Sequence, residues 1–125
     1  PNVRTAGGSM KVLVWGSRQW TYRDSIEKRL RMLPAGTTII SGAARGVDSI
    51  AASIGRTLGL GVREFPAEWN KFGRSAGYRR NLVMLEQDLD LVIAFHMGNS
   101  PGTGHAIEHA RKKGIPTEVI RWKNC

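Results

Sequence analysis

The stretch Ile39-Ile40-Ser41-Gly42-Ala43-Ala44-Arg45-Gly46-Val47-Asp48 constrains the fold more than any other part of the chain. It reads as a buried strand ending at Ser41, a tight glycine turn, and a helix opening near Arg45. Glycine lets the backbone approach a ligand closely, and a helix start offers unpaired N–H groups at the positive end of a dipole. The combination is an anion cradle. Two further glycine-bearing loops, Gly16-Ser17-Arg18 and Gly98 to Gly104, also follow apolar runs that read as strands.

Those runs alternate with amphipathic segments along the whole chain. Lys11 to Trp15 is the first strand, with Trp15 a core residue. A helix follows from Tyr22 to Leu33, with Tyr22, Ile26, Leu30 and Leu33 at helical spacing and Thr21 with Asp24 as a capping-box start. Thr37 to Ser41 is the second strand. The next helix carries Val47, Ile50, Ala51, Ile54 and Leu58 on one stripe and stops near Gly59. Val62 to Phe65 is the third strand. Ala67 to Ser75 reads as an irregular loop, and a third helix runs on to Asp88 with Tyr78, Leu82 and Leu85 facing the core. Leu91 to Phe95 is the fourth strand, His96 to Gly102 a glycine-rich turn, and Thr117 to Arg121 the fifth strand. The helix between them places Ala106, Ile107 and Ala110 inward and ends on Arg111, Lys112 and Lys113, with Gly114 as its C-cap. Strand–helix alternation of this kind predicts an α/β, Rossmann-like three-layer sandwich around a mainly parallel sheet of about five strands. Ligands of such sheets bind beyond the carboxyl ends of the strands, where all three glycine loops would gather.

At 125 residues, 41% hydrophobic and 23% charged, the chain is expected to be one folded domain from Met10 to Cys125. Residues 1–9 lack apolar periodicity and read as an expression remnant ahead of the natural start. No apolar run approaches the ~18 residues of a membrane span, so no membrane partner is expected. One cysteine, Cys125, fits a reducing compartment and a cytoplasmic location. The net charge of +9 points to an anionic partner, either nucleic acid or a phosphorylated small molecule.

Neither the Walker sequence nor G-x-G-x-x-G is present, which argues against a P-loop hydrolase or a conventional dinucleotide dehydrogenase. No cofactor is implied. His105 and His109 are four apart, as in H-E-x-x-H, but Ala106 stands where that motif needs glutamate, and no metal is expected. Gly16, Gly42, Gly46, Gly102 and Gly104 would let N–H groups meet phosphate oxygens. Ser17, Ser41 and Thr103 would donate hydroxyl bonds. Arg18, Arg45 and Arg80 suit bidentate pairing with phosphate. Asp48 and Glu108, each read in the first turn of its helix, would bind a ribose hydroxyl or serve as a base; a carboxylate there is also favourable with no ligand at all. For a nucleic-acid strand the contact candidates are Arg18, Arg45, Trp69, Arg74, Arg79 and Arg80, with Trp69 either a stacking or lid residue or a packing residue in its loop.

Ser41-Gly42-Ala43-Ala44-Arg45-Gly46-Val47-Asp48 resembles the Ser-Gly-x-Ala-x-Gly-Ile-Asp signature of the DNA-processing protein A family. Gly16-Ser17-Arg18 and Arg80-Asn81 match that family's Gly-Ser-Arg and Arg-Asn. In compact form the same marks resemble the YspA-like proteins of the SLOG superfamily, over Met10 to Trp122. Ser100-Pro101-Gly102-Thr103-Gly104-His105-Ala106-Ile107-Glu108 resembles the glycine motif of the LOG-type phosphoribohydrolases. The resemblance implies a Rossmann-like domain that binds a nucleotide or nucleotide derivative with its phosphate at the glycine loops, and that pairs as a homodimer. The alternatives it implies are binding of single-stranded DNA, and a nucleoside-monophosphate phosphoribohydrolase in which Arg80 and Glu108 are catalytic. Asn81 stands in place of that enzyme motif's lysine, Pro101 of its first glycine and His105 of its threonine.

Overall fold

The computed structural model describes residues 10–97 and 101–122, apart from the side chains of 101–103. Its strands are β1 (Lys11–Gly16), β2 (Thr38–Ser41), β3 (Gly61–Glu64), β4 (Leu91–His96) and β5 (Thr117–Arg121). They form one five-stranded sheet in the order β3-β2-β1-β4-β5, and every neighbouring pair is parallel. The helices are α1 (Arg23–Leu30), α2 (Val47–Thr57), α3 (Trp69–Phe72), α4 (Ala76–Leu85) and α5 (Pro101–Lys112), with a 3-10 turn at Gly73–Ser75. This is the expected Rossmann-like α/β architecture. The strand order reverses at β1, which lies between β2 and β4.

The alternation of side chains along a strand builds two cores from the central strands. Val12, Val14 and Ile39 point to one face and pack with Ile26 and Leu30 of α1 and Val47, Ala51 and Ile54 of α2. Leu13, Trp15, Ile40, Val92 and Ala94 point to the other and pack with Met84 and Leu85 of α4 and Ala106, Ile107 and Ala110 of α5. Strands buried on both faces read as continuous apolar runs, which is why β1 and β4 were legible. A bidentate pair from Arg29 to Glu118, at 2.7 and 3.0 Å, joins α1 to β5.

The entry to α1 differs from the expectation. The helix begins at Arg23 and ends at Leu30, and its N-cap, Tyr22, makes no side-chain capping bond; the Thr21–Asp24 box does not form. Tyr22 is 55% exposed, and the buried aromatic is Trp20, at 1%. Its indole Nε1 donates to the Tyr22 carbonyl and to Ser25 Oγ, both at 3.2 Å. The ring meets Phe95 and Trp122 edge-on, with centroids 5.3 and 5.1 Å apart. An indole that fills the core and satisfies its own N–H fixes the start of α1 without a capping box. Tyr22 is left to pack edge-on against Trp122 from outside.

The segment expected to be a loop at Ala67–Ser75 instead carries α3 and the 3-10 turn, and neither buries a residue. Helix α4 stops at Leu85, short of Asp88. Tyr78 is half exposed and meets His105 at a centroid distance of 5.4 Å; the inward residues of α4 are Ala76, Met84 and Leu85. Among the described residues no helix is long and apolar enough to cross a membrane. The expectations for Gly98, Ser100 and Cys125 lie outside the described residues.

Replacing Trp20 removes a buried indole from between α1, β4 and the chain after β5. Trp20→Ala is expected to lower the unfolding free energy by about 3–5 kcal/mol, against less than about 1 kcal/mol for the exposed Tyr22→Ala. Denaturant titration of the two variants beside the parent checks this.

Candidate functional site

Between the end of β2 at Ser41 and the start of α2 at Val47 the chain turns through residues 42–46. Gly46 has φ +78°, and a Cβ there would lie 2.6 Å from the Arg18 carbonyl oxygen and 2.7 Å from Arg18 Cα. Only glycine both adopts that conformation cheaply and lets the loop after β1 settle on the loop after β2. At Gly42 a Cβ would lie 2.6 Å from both Arg80 Nη1 and Asp48 Oδ2. Ala43 takes a left-handed conformation, φ +61°, without being glycine.

Under this loop a buried carboxylate, Asp48, lies within the field of a partly buried guanidinium, Arg80. Asp48 sits in the first turn of α2 and is 5% exposed. Its carboxylate accepts the Ala44 N–H at 3.4 Å, and its backbone carbonyl accepts the Ser41 hydroxyl at 2.9 Å. Arg80, from α4, donates through Nη1 to the Gly42 carbonyl and to the Phe65 carbonyl at 3.3 Å, and through Nε to Asn81 Oδ1 at 2.8 Å. Burial pushes the Asp48 carboxyl up to about 6, although Arg80, the Ala44 N–H, Arg18 and the Gly42 N–H all favour its charged form. Burial also lowers the Arg80 guanidinium, against the pull of Asp48. Desolvation thus outweighs attraction on both partners.

Above the pair opens a cleft of about 420 Å³, bounded by Arg18 and the loop from Gly42 to Arg45 on one side, by Pro66, Ala67 and Trp69 on the other, and by Arg80. It lies beyond the carboxyl ends of β1, β2 and β3. Arg18 and Arg45 are exposed, and Trp69 is 51% exposed. The indole lies near Gly77 of α4: a Cβ there would be in ordinary contact with Trp69 Cη2, at 3.5 Å.

The other expected site residues fall elsewhere. Gly16 is a packing glycine, since a Cβ would meet the Phe95 carbonyl and approach Val47 Cγ2 to 2.8 Å. Ser17 and Ser41 are buried, at 3% and 0% exposure. Ser41 spends its proton on the Asp48 carbonyl, and Ser17 Oγ accepts the Met97 N–H at 3.3 Å. Both hydroxyls therefore bind loops together and do not line the cleft. Asp48 likewise faces inward. Arg79 donates to Ser75 Oγ at 3.0 Å and lies 4.6 Å over the Phe72 ring; with the exposed Arg74 it stands outside the cleft lining. Helix α5 begins at Pro101, earlier than the glycine turn implied, so Glu108 is in its interior and not its first turn. Glu108 is 71% exposed, pairs with Lys112 at 3.9 Å, and is not among the described residues lining the cleft. Gly102 and Thr103 lie in the first turn of α5 with side chains outside the description. A Cβ on Gly104 would be 3.8 Å from His96 Nε2.

Three features escaped the sequence. Pro66 and Ala67 form part of the cleft wall because they directly follow β3, and no residue chemistry marks them. The Asp48–Arg80 pair joins positions far apart in sequence. His96 is 9% exposed at the end of β4, its Nδ1 has no partner among the described residues, and burial, then Arg121, holds its imidazole below the usual histidine range. Among the described residues no group of three or more His, Cys, Asp or Glu is placed to hold a metal.

Comparison with known proteins adds three likenesses. A family model described as YspA, cpYpsA-related SLOG family matches residues 10–72. The Gene 61 protein of Mycobacterium phage D29 is 36% identical over 115 residues, spanning 85% of this chain and 92% of the phage protein. The X-ray structure of DNA processing protein A (DprA) from Streptococcus pneumoniae superposes with a TM-score of 0.75 at 21% identity, covering 98% of this chain. The chain spans about half of that structure's length, 54%, and the likeness to it is one of fold.

The raised Asp48 carboxyl makes stability depend on pH. Its folded value, about 6, lies above the unfolded value near 3.8. Folding therefore favours the protonated form, and the stability this contributes is full below the unfolded value and is lost as pH rises through the folded one. A shift of this size corresponds to roughly 3 kcal/mol. The difference in unfolding free energy between the parent and Asp48→Asn is expected to fall by up to that amount between about pH 4 and pH 7, read by denaturant titration at each pH.

Proposed function

The chain belongs to the YspA, cpYpsA-related SLOG family, and from that premise we propose that it binds a nucleotide or nucleotide-derived ligand in the cleft beyond β1, β2 and β3. The observation that carries this reading is the lining: two exposed guanidinium groups, Arg18 and Arg45, and an exposed indole, Trp69, around one opening. Guanidinium forks match phosphate oxygens, and an indole face takes a base by stacking. The net charge of +9 draws anionic ligands to the surface.

A second reading is supported by the cations outside the cleft. Lys71 and Arg79 hold over the Phe72 ring at 5.2 and 4.6 Å, and Arg74 is exposed on the intervening turn. Lys71 and Arg74 follow Trp69 in the chain and Arg79 meets the same Phe72 ring, so cations beyond the cleft lining are on hand for a longer, single-stranded nucleic acid. The fold likeness to a DNA processing protein favours this reading too. For the hydrolase alternative, its candidate Glu108 is exposed, lies outside the cleft lining and pairs with Lys112 along its own helix, which favours the two binding readings.

A thermal-shift panel of mono- and dinucleotides tests the first reading: a ligand at a hundred times its Kd stabilises by about 2.7 kcal/mol. The stabilisation is expected to vanish in Arg18→Ala/Arg45→Ala and to weaken in Trp69→Ala. A panel with no active member, or a double variant that responds like the parent, sinks it. For the second reading, affinity for a single-stranded oligonucleotide falls with salt, with a log–log slope of about 0.7 per phosphate contacted. Arg74→Ala/Arg79→Ala is expected to reduce that slope while leaving any mononucleotide response unchanged. A slope unmoved by the double variant removes these residues from the contact.

A further inference from the structure

We propose that the loop from Gly42 to Gly46 is an oxyanion site already filled by the protein's own Asp48 carboxylate, so that a ligand phosphate is met by Arg18 and Arg45 and not by the loop's amides. The second clause rests on the nucleotide reading above; the first stands on the free protein alone.

A glycine loop entering a helix is built to hold an anion because its N–H groups converge and the helix dipole adds positive potential. Here the N–H groups of Gly42, Ala43 and Ala44 already have partners within the protein. The Ala44 N–H points at Asp48 Oδ2, 3.4 Å away, and the Ala43 N–H is 3.5 Å from Ser41 Oγ. Asp48 lies in the first turn of α2, where it answers the dipole of that same helix. It is a charged side chain only 5% exposed, and a buried carboxylate persists where donors and a counter-charge surround it. The counter-charges are Arg80 from α4 and Arg18 from the loop after β1, the charged groups that face it.

The space is filled as well as the bonding. Even a methyl group at Gly42 would collide with Asp48 Oδ2 and Arg80 Nη1. Arg80 cannot readily turn to a ligand, since Nη1 is shared between the Gly42 and Phe65 carbonyls and Nε is held by Asn81. It acts as a positioning residue that ties the loop after β2 to the chain after β3. Arg18 and Arg45 remain at the exposed rim. A phosphate that sought the amides would have to displace Asp48 and separate it from Arg80.

Backbone amide NMR of the whole chain tests this with inorganic phosphate as the probe. In the parent, the Ala44 amide signal is expected to titrate with the Asp48 carboxyl without any ligand, and Asp48→Asn abolishes that titration. Millimolar phosphate is expected to leave this amide unmoved in the parent at neutral pH. In Asp48→Ala, phosphate shifts it saturably and raises the melting temperature, whereas chloride at equal ionic strength does neither. A parent Ala44 amide indifferent to pH overturns the proposal, and this measurement needs no variant to fold. So does saturable movement of that amide by phosphate in the parent, or a folded Asp48→Ala that ignores phosphate. Failure of every nucleotide to bind would strike the functional reading and leave these amide results untouched.

Discussion

One guanidinium group joins the parts that make the cleft. Arg80 reaches from α4 to the carbonyls of Gly42 and Phe65, and its charge acts on the carboxylate of Asp48. These belong to the loop after β2, the chain after β3 and the first turn of α2. Each segment leaves the sheet at a carboxyl end, where ladder hydrogen bonds stop and nothing in the strand itself fixes the direction of the chain. A rigid planar donor with several N–H groups can bond to two carbonyls and the Asn81 amide oxygen together while its charge faces a carboxylate, and lysine cannot hold that geometry. The cost is the partial burial of two charges, which moves the Asp48 carboxyl up and the Arg80 guanidinium down. Their mutual attraction only partly offsets that cost. What the pair supplies is a defined loop in which a side chain at Gly42 would have to push both charged groups aside.

Most of the architecture was legible because its signals are local. β1 and β4 are continuous apolar runs, as strands covered on both faces must be, and the stripe of Val47, Ala51 and Ile54 on α2 has helical period and is buried as expected. The failures share a cause. Tyr22 and Tyr78 have the right spacing for a core face, yet both are about half exposed, because periodicity cannot tell which aromatic the tertiary packing will choose. Trp20, just outside the period, fills the site beside Phe95 and Trp122. The short α3 buries nothing, so it had no apolar stripe to announce it.

The cleft was legible in its membership but not in its roles. Arg18, Arg45, Arg80, Gly42 and Trp69 do converge on one opening. The reading of polar residues near a glycine loop as ligand contacts did not foresee that Ser17 and Ser41 are buried and join loops through their hydroxyls. A hydroxyl that braces a turn and one that meets a phosphate are identical in sequence; only the direction of the bond separates them. The same holds for Asp48, whose place in the first turn of α2 is equally suited to a ligand and to the loop's own amides. Glu108 was misplaced because its helix starts at Pro101, which is well suited to a first helical turn.

The two sides of the cleft are anchored very unequally. Arg18 and the loop from Gly42 to Arg45 hang from β1 and β2, strands with ladder partners on both sides. Pro66, Ala67 and Trp69 hang from β3, a four-residue edge strand with largely exposed side chains, and from α3, which buries none of its residues. Local opening is cheapest where few apolar contacts and an unpaired edge coincide. The cleft therefore works as a fixed jaw against a soft one. A ligand lying across it finds its charge-bearing half already in place. For the nucleotide proposed above, the entropy of ordering would fall on the Trp69 half, where a looser fit would tolerate bases of different size.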